Sequence, residues 1–305
     1  MRLYLAGIFT AGFHPFGSAW SRCTDQERAQ RNSASHLLES YHYFKSPTKI
    51  DPMRREGRKM FLDSGAFSAY TKGVDIDLPA YCEFIKANLD IIENVDGCLL
   101  ASVLDGIGDP QKTWENQQRM ERLGVKPLPC FHFGEDPRYL DYYAANYEYI
   151  TIGGMVPIQK PQLFTWLDRI WEKHLCDGAG RPKVRVHGFG LTRIDMMRRY
   201  PWFSVDSSSW VQVARVGGMQ LLDGGMVSVS EEAPSRKQFD RHIDTMSKEH
   251  RAALEKQLVE AGTDLVRMRT TYLARWAYNI WAFEMIGRDQ KKQNDVFKFD
   301  QIGLF

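Results

Sequence analysis

The sequence predicts an α/β fold, a (β/α)8 TIM barrel with a C-terminal helical extension. Three observations carry that reading. Short apolar runs recur along the chain as far as Val229. Helix-length segments with explicit start signals lie between them. Beyond Ala233 the strand pattern gives way to two long amphipathic stretches. Several runs are almost continuously hydrophobic, as strands buried on both faces of a parallel sheet are. Strand, loop and helix in alternation is what parallel crossover connections need.

The expected strands are Leu3–Ile8, Met60–Leu62, Cys98–Leu104, Lys126–Phe131, Tyr149–Ile152, Val184–His187, Trp202–Val205 and Met226–Val229. Between them, Thr24-Asp25-Gln26-Glu27 is a capping box, and its helix is expected to run to about Phe44. Asp77 precedes Pro79 and an apolar-periodic stretch to Ile92. Asp109-Pro110 and Asp136-Pro137 each offer an N-cap followed by proline in the first turn, where its missing N–H costs nothing. Pro161 opens Gln162–His174, and Thr192 is expected to cap a short basic helix through Arg199. No Gly-x-Gly-x-x-Gly follows the first strand, which argues against an open dinucleotide-binding sheet.

The extension reads as helices Ser235–Val259 and Thr263–Ile286, with Gly262 ending one and Thr263 capping the next. Leu265, Met268, Tyr272, Trp276, Ile280 and Phe283 form a stripe expected to dock on the barrel, with Arg267, Arg269 and Arg275 opposite. The expected domains are a catalytic barrel over 1–234 and a helical extension over 235–305, packed on it.

Composition limits the function classes. Lys and Arg number 40 against 38 Asp and Glu, a formal charge of +2, and 43% of the 305 residues are hydrophobic. This is a globular balance and excludes a strongly basic, histone-like binder, although a local basic patch can hide in a balanced total. Cys23, Cys82, Cys98, Cys130 and Cys176 include no Cys-x-x-Cys pair, so neither a disulfide framework nor a zinc knuckle is expected. A reducing, cytoplasmic compartment is expected. The apolar N-terminus has no small-residue cleavage site, and no run reaches the roughly 18 apolar residues of a membrane span.

In a barrel, groups at the carboxyl ends of the strands make the active site. Those ends carry Asp63-Ser64-Gly65-Ala66-Phe67, Asp105-Gly106, His132-Phe133-Gly134, Gly153-Gly154-Met155, His187-Gly188-Phe189-Gly190 and Asp206-Ser207-Ser208-Ser209-Trp210. Taken singly, each aspartate also reads as a cap or turn residue, each histidine as a hydrogen-bonded core residue, and the glycine pair as a tight turn. Taken together, three acids from three strands would point into one cavity. Like charges at close range push pKa values apart, which suits one acid for proton transfer and another for nucleophilic attack. Asp63, Asp105, His132, His187 and Asp206 also suggest a metal-dependent hydrolase, but no His-x-His or His-Glu-x-x-His pair supports it.

At these residues the chain resembles the tRNA-guanine transglycosylase superfamily, in its short, phage-type branch associated with placing 7-deazaguanines in DNA. The resemblance spans roughly residues 1–230 in strand order. It rests on Asp63-Ser64-Gly65-Ala66-Phe67, Asp105, Gly153-Gly154-Met155, Gly188-Phe189-Gly190 and Asp206, and the block Val205 to Trp210 favours the short branch. It implies base exchange on DNA with a free 7-deazaguanine, such as 7-cyano-7-deazaguanine, as co-substrate. Asp206 would be the nucleophile and Asp63 the general acid/base. Asp105 would accept from the guanine N1–H and 2-amino group. Gly153 and Gly154 would offer backbone N–H groups, and Phe67 would stack on the base. Ser64, Met155, His132 and His187 fall to the base pocket without individual roles.

The chain also departs from the family. The usual Cys-x-Cys-x-x-Cys and histidine zinc site cannot form, because no cysteine follows Cys176. No zinc or other cofactor is therefore expected. Where the tRNA enzymes continue with Pro-Thr-Arg, this chain has Ser207-Ser208-Ser209-Trp210, which counts against a tRNA substrate. Arg193, Arg198, Arg199, Arg215 and Trp210 are the expected nucleic-acid contacts. A tRNA-directed transglycosylase and a non-catalytic nucleic-acid-binding subunit stand as alternatives. No membrane partner is expected, and a homodimer stays open.

Overall fold

The computed structural model describes residues 1–156, 158–191, 193–289 and 295–298. The chain divides into two compact units. One comprises Met1–Ala11 and His36–Asp206 with the described part of Lys292–Phe305; the other comprises Gly12–Ser35 and Ser207–Lys291.

The first unit is built on a curled, parallel, seven-stranded sheet. Its strands are β1 (Arg2–Ala6), β2 (His36–Ser40), β3 (Phe61–Asp63), β4 (Cys130–His132), β5 (Tyr149–Gly153), β6 (Arg185–Gly188) and β7 (Ser204–Ser207), in the order β3-β2-β1-β7-β6-β5-β4. Isolated parallel bridges join Leu62 to Ala101 and Ser102 to Leu128, so the 101–103 segment links β3 to the residues leading into β4. Tyr4, Leu38, Phe61, Leu100, Leu128 and Tyr149 form one hydrophobic cluster that this curl encloses.

The helices start where the sequence signals them. Asp77, Asp109 and Asp136 each accept a backbone N–H in the first turn of Leu78–Ala87, Pro110–Arg122 and Pro137–Asn146. Thr24 and Glu27 form the full reciprocal capping box of Asp25–Asn32. Thr192, expected to cap Ile194–Arg199, lies outside the described residues.

Three expectations are corrected. The helix expected to reach Phe44 ends at Asn32, and β2 follows it. Leu37 and Leu38 satisfy a helical stripe as well as a strand, so local pattern does not separate them. Pairing with β1 and β3 decides, and it buries Glu39 completely. Second, Met226–Val229 is no barrel strand: Met226–Ser228 pairs antiparallel with Gly218–Gln220 in the second unit. Third, the unit boundary falls at Asp206 rather than at 234, and residues 12–35 join the C-terminal unit. Polar ties between distant segments explain that last change. Arg267 forks onto Glu27 at 2.7–2.9 Å, Gln30 donates to the Ala261 carbonyl at 2.6 Å, and Ser35 is held by Glu284.

Within the second unit, Tyr272–Asp289 packs on Asp25–Asn32 and Ser209–Arg215. The expected helix over 235–259 begins only at Lys248, where the Ser247 side chain caps it. The expected helix from Thr263 is two, Leu265–Thr270 and Tyr272–Asp289, and Asp264 rather than Thr263 caps the first. Met268, Ile280 and Phe283 of the stripe are buried, whereas Tyr272 stays 39% exposed. The facing arginines are structural: Arg267 pairs with Glu27, Arg269 with Asp244, and buried Arg275 donates to the Met268 carbonyl at 2.7 Å. No described helix is long and apolar enough to cross a membrane.

Glu39 gives a stability prediction. Its carboxylate accepts the Phe9 and Thr10 N–H groups and the Thr10 hydroxyl, yet burial outweighs these bonds and pushes its pKa up to about 7. A raised acid stabilises fully below the ordinary glutamate range, and that contribution is lost as pH rises through about 7. The loss should be on the order of 3 kcal/mol. Chemical denaturation of wild type and Glu39→Gln from pH 5 to about 8 should show the wild-type slope reduced in the variant. Parallel curves would remove Glu39 as its source.

Candidate active site

Asp63 closes β3, and the backbone turns sharply after it. Gly65 has φ +75°, and a side chain there would collide with the Ser40 hydroxyl and with His42 Cβ at 2.6 Å, so only glycine fits. The Gly65 N–H donates to Asp63 Oδ2 at 3.0 Å. Despite that bond, the Asp63 pKa is pushed up to about 7, by burial first and then by the negative charges of Asp105 and Asp206. Asp105 and Asp206 thus both act on the charge of Asp63.

The Asp105 loop is anchored from behind. Asn116 Nδ2 donates to the Leu104 carbonyl at 2.7 Å, and the Gly106 N–H donates to Thr113 Oγ1 at 3.0 Å. Asp105 Oδ1 is buried and accepts no hydrogen bond; His132 Nε2 lies 3.6 Å from it. A buried acceptor without a donor is costly, and a ligand bearing N–H groups would relieve it.

His132 ends β4 and is oriented by Glu135, a residue the sequence reading missed. Glu135 Oε1 lies 2.8 Å from His132 Nδ1, and Oε2 accepts the His132 backbone N–H at 2.9 Å. The only sequence signal is the spacing of three across the strand-to-helix turn. Burial works against the imidazolium, but the electrostatic pull of Cys130 and Asp105 outweighs it and raises the His132 pKa. Cys130 is itself missing from the expected set. Its Sγ lies 3.4 Å from His132 Nε2, and burial, reinforced by Asp105, pushes its thiol up to about 11. Asp105, Cys130 and His132 bring ligand atoms within 4.8 Å of one another, which among the described residues makes them a group that could hold a metal. A cation there would have to displace the protons that the raised His132 and Cys130 pKa values hold.

The glycine turn lies beside this group. A Cβ on Gly153 would sit 3.1 Å from His132 Cδ2 and 3.3 Å from Cys130 Sγ. Gly154 has φ +70° and is exposed, and Met155 after it is buried. Asp206, on β7, is 6% exposed, and its Oδ1 accepts the Gly190 N–H at 2.8 Å and lies 3.3 Å from His187 Nε2. Phe67, in the first turn after Gly65, is 62% exposed, a flat ring open to solvent.

Two residues move out of the expected base pocket. Ser64 is fully buried, with its N–H on Ser102 Oγ and its Oγ accepting the Ala66 N–H, so it shapes the turn. His187 is fully buried behind Asp206. A scan against protein-family models finds no match, and no curated protein matches the chain.

The expected nucleic-acid contacts separate. Trp210 is fully buried between Phe13 and Trp276 in the second unit and offers no stacking face. Arg199 is locked to buried Asp168 by two 2.8 Å bonds, and Tyr200 donates to the same carboxylate. Its charge is spent on the fold. Arg193 pairs with Asp195 at the surface, and Arg198 and Arg215 are exposed. Arg199→Ala should therefore cost about 3–5 kcal/mol of stability by stranding a buried carboxylate. Thermal unfolding and DNA binding, measured together, check this. A stable variant with weakened DNA binding would return Arg199 to the interface.

Proposed function

We propose that the protein is a base-exchange glycosyltransferase that replaces guanine in DNA with a 7-deazaguanine such as 7-cyano-7-deazaguanine. The 101–103 segment is read as the eighth strand of a closed (β/α)8 barrel whose carboxyl-end face holds the reaction. One observation carries the reading. Three acids share a site in which Asp63 is tuned to about 7 while Asp206 is held by fixed donors.

The chemistry follows from this division. An Asp206 oxygen attacks C1′ of the target nucleotide as the C1′–N9 bond breaks, and protonated Asp63 supplies the proton taken by the departing guanine. The incoming base gives its N9 proton to the Asp63 carboxylate, and N9 attacks C1′ and releases Asp206. A pKa near 7 lets one carboxyl group act as acid and then as base at neutral pH. The orphaned Asp105 oxygen accepts from the base N1–H and 2-amino group. His132, held by Glu135, donates Nε2–H to the carbonyl oxygen on the same base edge. Gly154 lets the base approach bare backbone, and Phe67 offsets part of the few kcal/mol needed to unstack the nucleotide.

The DNA assignment rests on the serines after Asp206, which replace a basic anticodon-binding stretch. Incubation of the full chain with duplex DNA, single-stranded DNA or unmodified tRNA, each with labelled guanine or 7-cyano-7-deazaguanine, tests it. Mass spectrometry of the released nucleosides should show the new base in DNA. Incorporation in tRNA alone would move the substrate, and incorporation nowhere would overturn the reading.

A further inference from the structure

We infer that His187 is a positioning residue for the nucleophile: with the Gly190 N–H it holds Asp206 Oδ1, so that Oδ2 is the oxygen that attacks C1′. The inference rests on the glycosyl-transfer reading above and adds to it how the attacking carboxylate is aimed.

His187 is fully buried, and its ring is enclosed by Phe61, Phe189 and Tyr4 at centroid distances of 4.6, 4.7 and 6.0 Å. No base reaches it. Its two nitrogens are both engaged: Nε2 lies 3.3 Å from Asp206 Oδ1, and Nδ1 lies 2.5 Å from the Ser204 hydroxyl. Ser204 in turn lies 2.5 Å from the Tyr149 hydroxyl. Ser204 and Asp206 are two apart on β7 and so project from the same face, which lets one imidazole from β6 bridge them.

The protons in this chain have one self-consistent arrangement. A carboxylate oxygen has only lone pairs to offer, so Nε2 must carry the hydrogen. Burial disfavours a second proton on the ring, against the pull of Asp206, and the His187 pKa is lowered. Nδ1 is then an acceptor, Ser204 donates to it, and Tyr149 donates to Ser204. The relay fixes the tautomer, as an outer-shell partner fixes a functional histidine. Both donors fall on Oδ1, so the carboxylate cannot rotate, and Oδ2 is presented in a set direction. Positioning errors of about 1 Å can cost ~10²-fold in rate.

The test is single-turnover formation of the covalent protein–DNA adduct, followed on denaturing gels, with affinity for free guanine measured alongside. His187→Phe keeps a ring and removes both nitrogens; adduct formation should slow ~10²-fold while guanine affinity is unchanged. His187→Gln restores an N–H donor and should recover much of the rate. Ser204→Ala removes the tautomer lock without touching the imidazole and should fall between wild type and His187→Phe, which keeps the question open to test if the phenylalanine variant does not fold. Wild-type rates in His187→Phe or Ser204→Ala would overturn the inference, as would a parallel loss of guanine affinity. Absence of any adduct from the wild-type protein would instead overturn the glycosyl-transfer reading beneath it.

Discussion

Asp206→Asn is expected to abolish the covalent adduct and to lower base exchange by about 10⁴-fold or more, the scale on which loss of a catalytic nucleophile is felt. The substitution is nearly isosteric. The amide oxygen can still accept the Gly190 N–H, which now goes to Oδ1 at 2.8 Å, so folding and affinity for free guanine should be retained. The loss is chemical, because an amide oxygen lacks the charge to form an acylal-type bond to C1′. Labelled guanine incorporation and equilibrium binding, measured on the same preparation, separate the two effects. Retained incorporation would require another nucleophile, and the buried Cys130 beside His132 would be the first to try.

Asp63→Asn is expected to slow exchange about 10²- to 10⁴-fold, the usual range for a general acid/base, and to change its pH dependence. In the proposed reaction, Asp63 must be protonated when guanine leaves. Its pKa near 7 means that adduct formation is fastest below that value and falls as pH rises through it. The resolving step runs the opposite way and needs the carboxylate. Adduct formation measured alone should thus decline through about pH 7, whereas resolution by added base should rise there. Both inflections should vanish in Asp63→Asn. An inflection that survives would assign the titration to a different group. Asp63 also lies in the stability window of Glu39, so the Glu39 contribution is read as the difference between Glu39→Gln and wild type.

The strand ends are more legible in the sequence than the pairing between strands. Asp63, Asp105 and Asp206 stand at strand ends, and strand ends can be read from apolar runs followed by turn residues. That is why the acids fall together despite errors elsewhere. β2 was hidden because His36 to Ser40 follows directly on a well-capped helix and carries a buried glutamate. Its strand character comes from two neighbours distant in sequence. Met226–Val229 has the composition of a barrel strand but pairs with Gly218–Gln220, a choice that composition alone does not record. The unit boundary was unreadable for the same reason, since Glu27 and Arg267 reveal their pairing only in three dimensions.

The roles of the cations are not legible in the sequence. An arginine near a barrel mouth looks the same in sequence whether it faces phosphate or, as Arg199 does, a buried carboxylate. Trp210 is likewise core rather than surface. The histidines stand at strand ends in the sequence, but what each does depends on its partners. Glu135 orients His132 toward Asp105, whereas Ser204 and Asp206 hold His187 in the interior.

The most direct test of a covalent glycosyl-enzyme is to trap it. Wild-type protein mixed with guanine-containing DNA, without added base, should be quenched in denaturant, digested with nuclease and protease, and analysed by peptide mass spectrometry. A deoxyribosyl adduct is expected on the peptide that carries Asp206, lost on adding free 7-deazaguanine before the quench. An adduct on any other residue, or base exchange with no adduct at all, would contradict it.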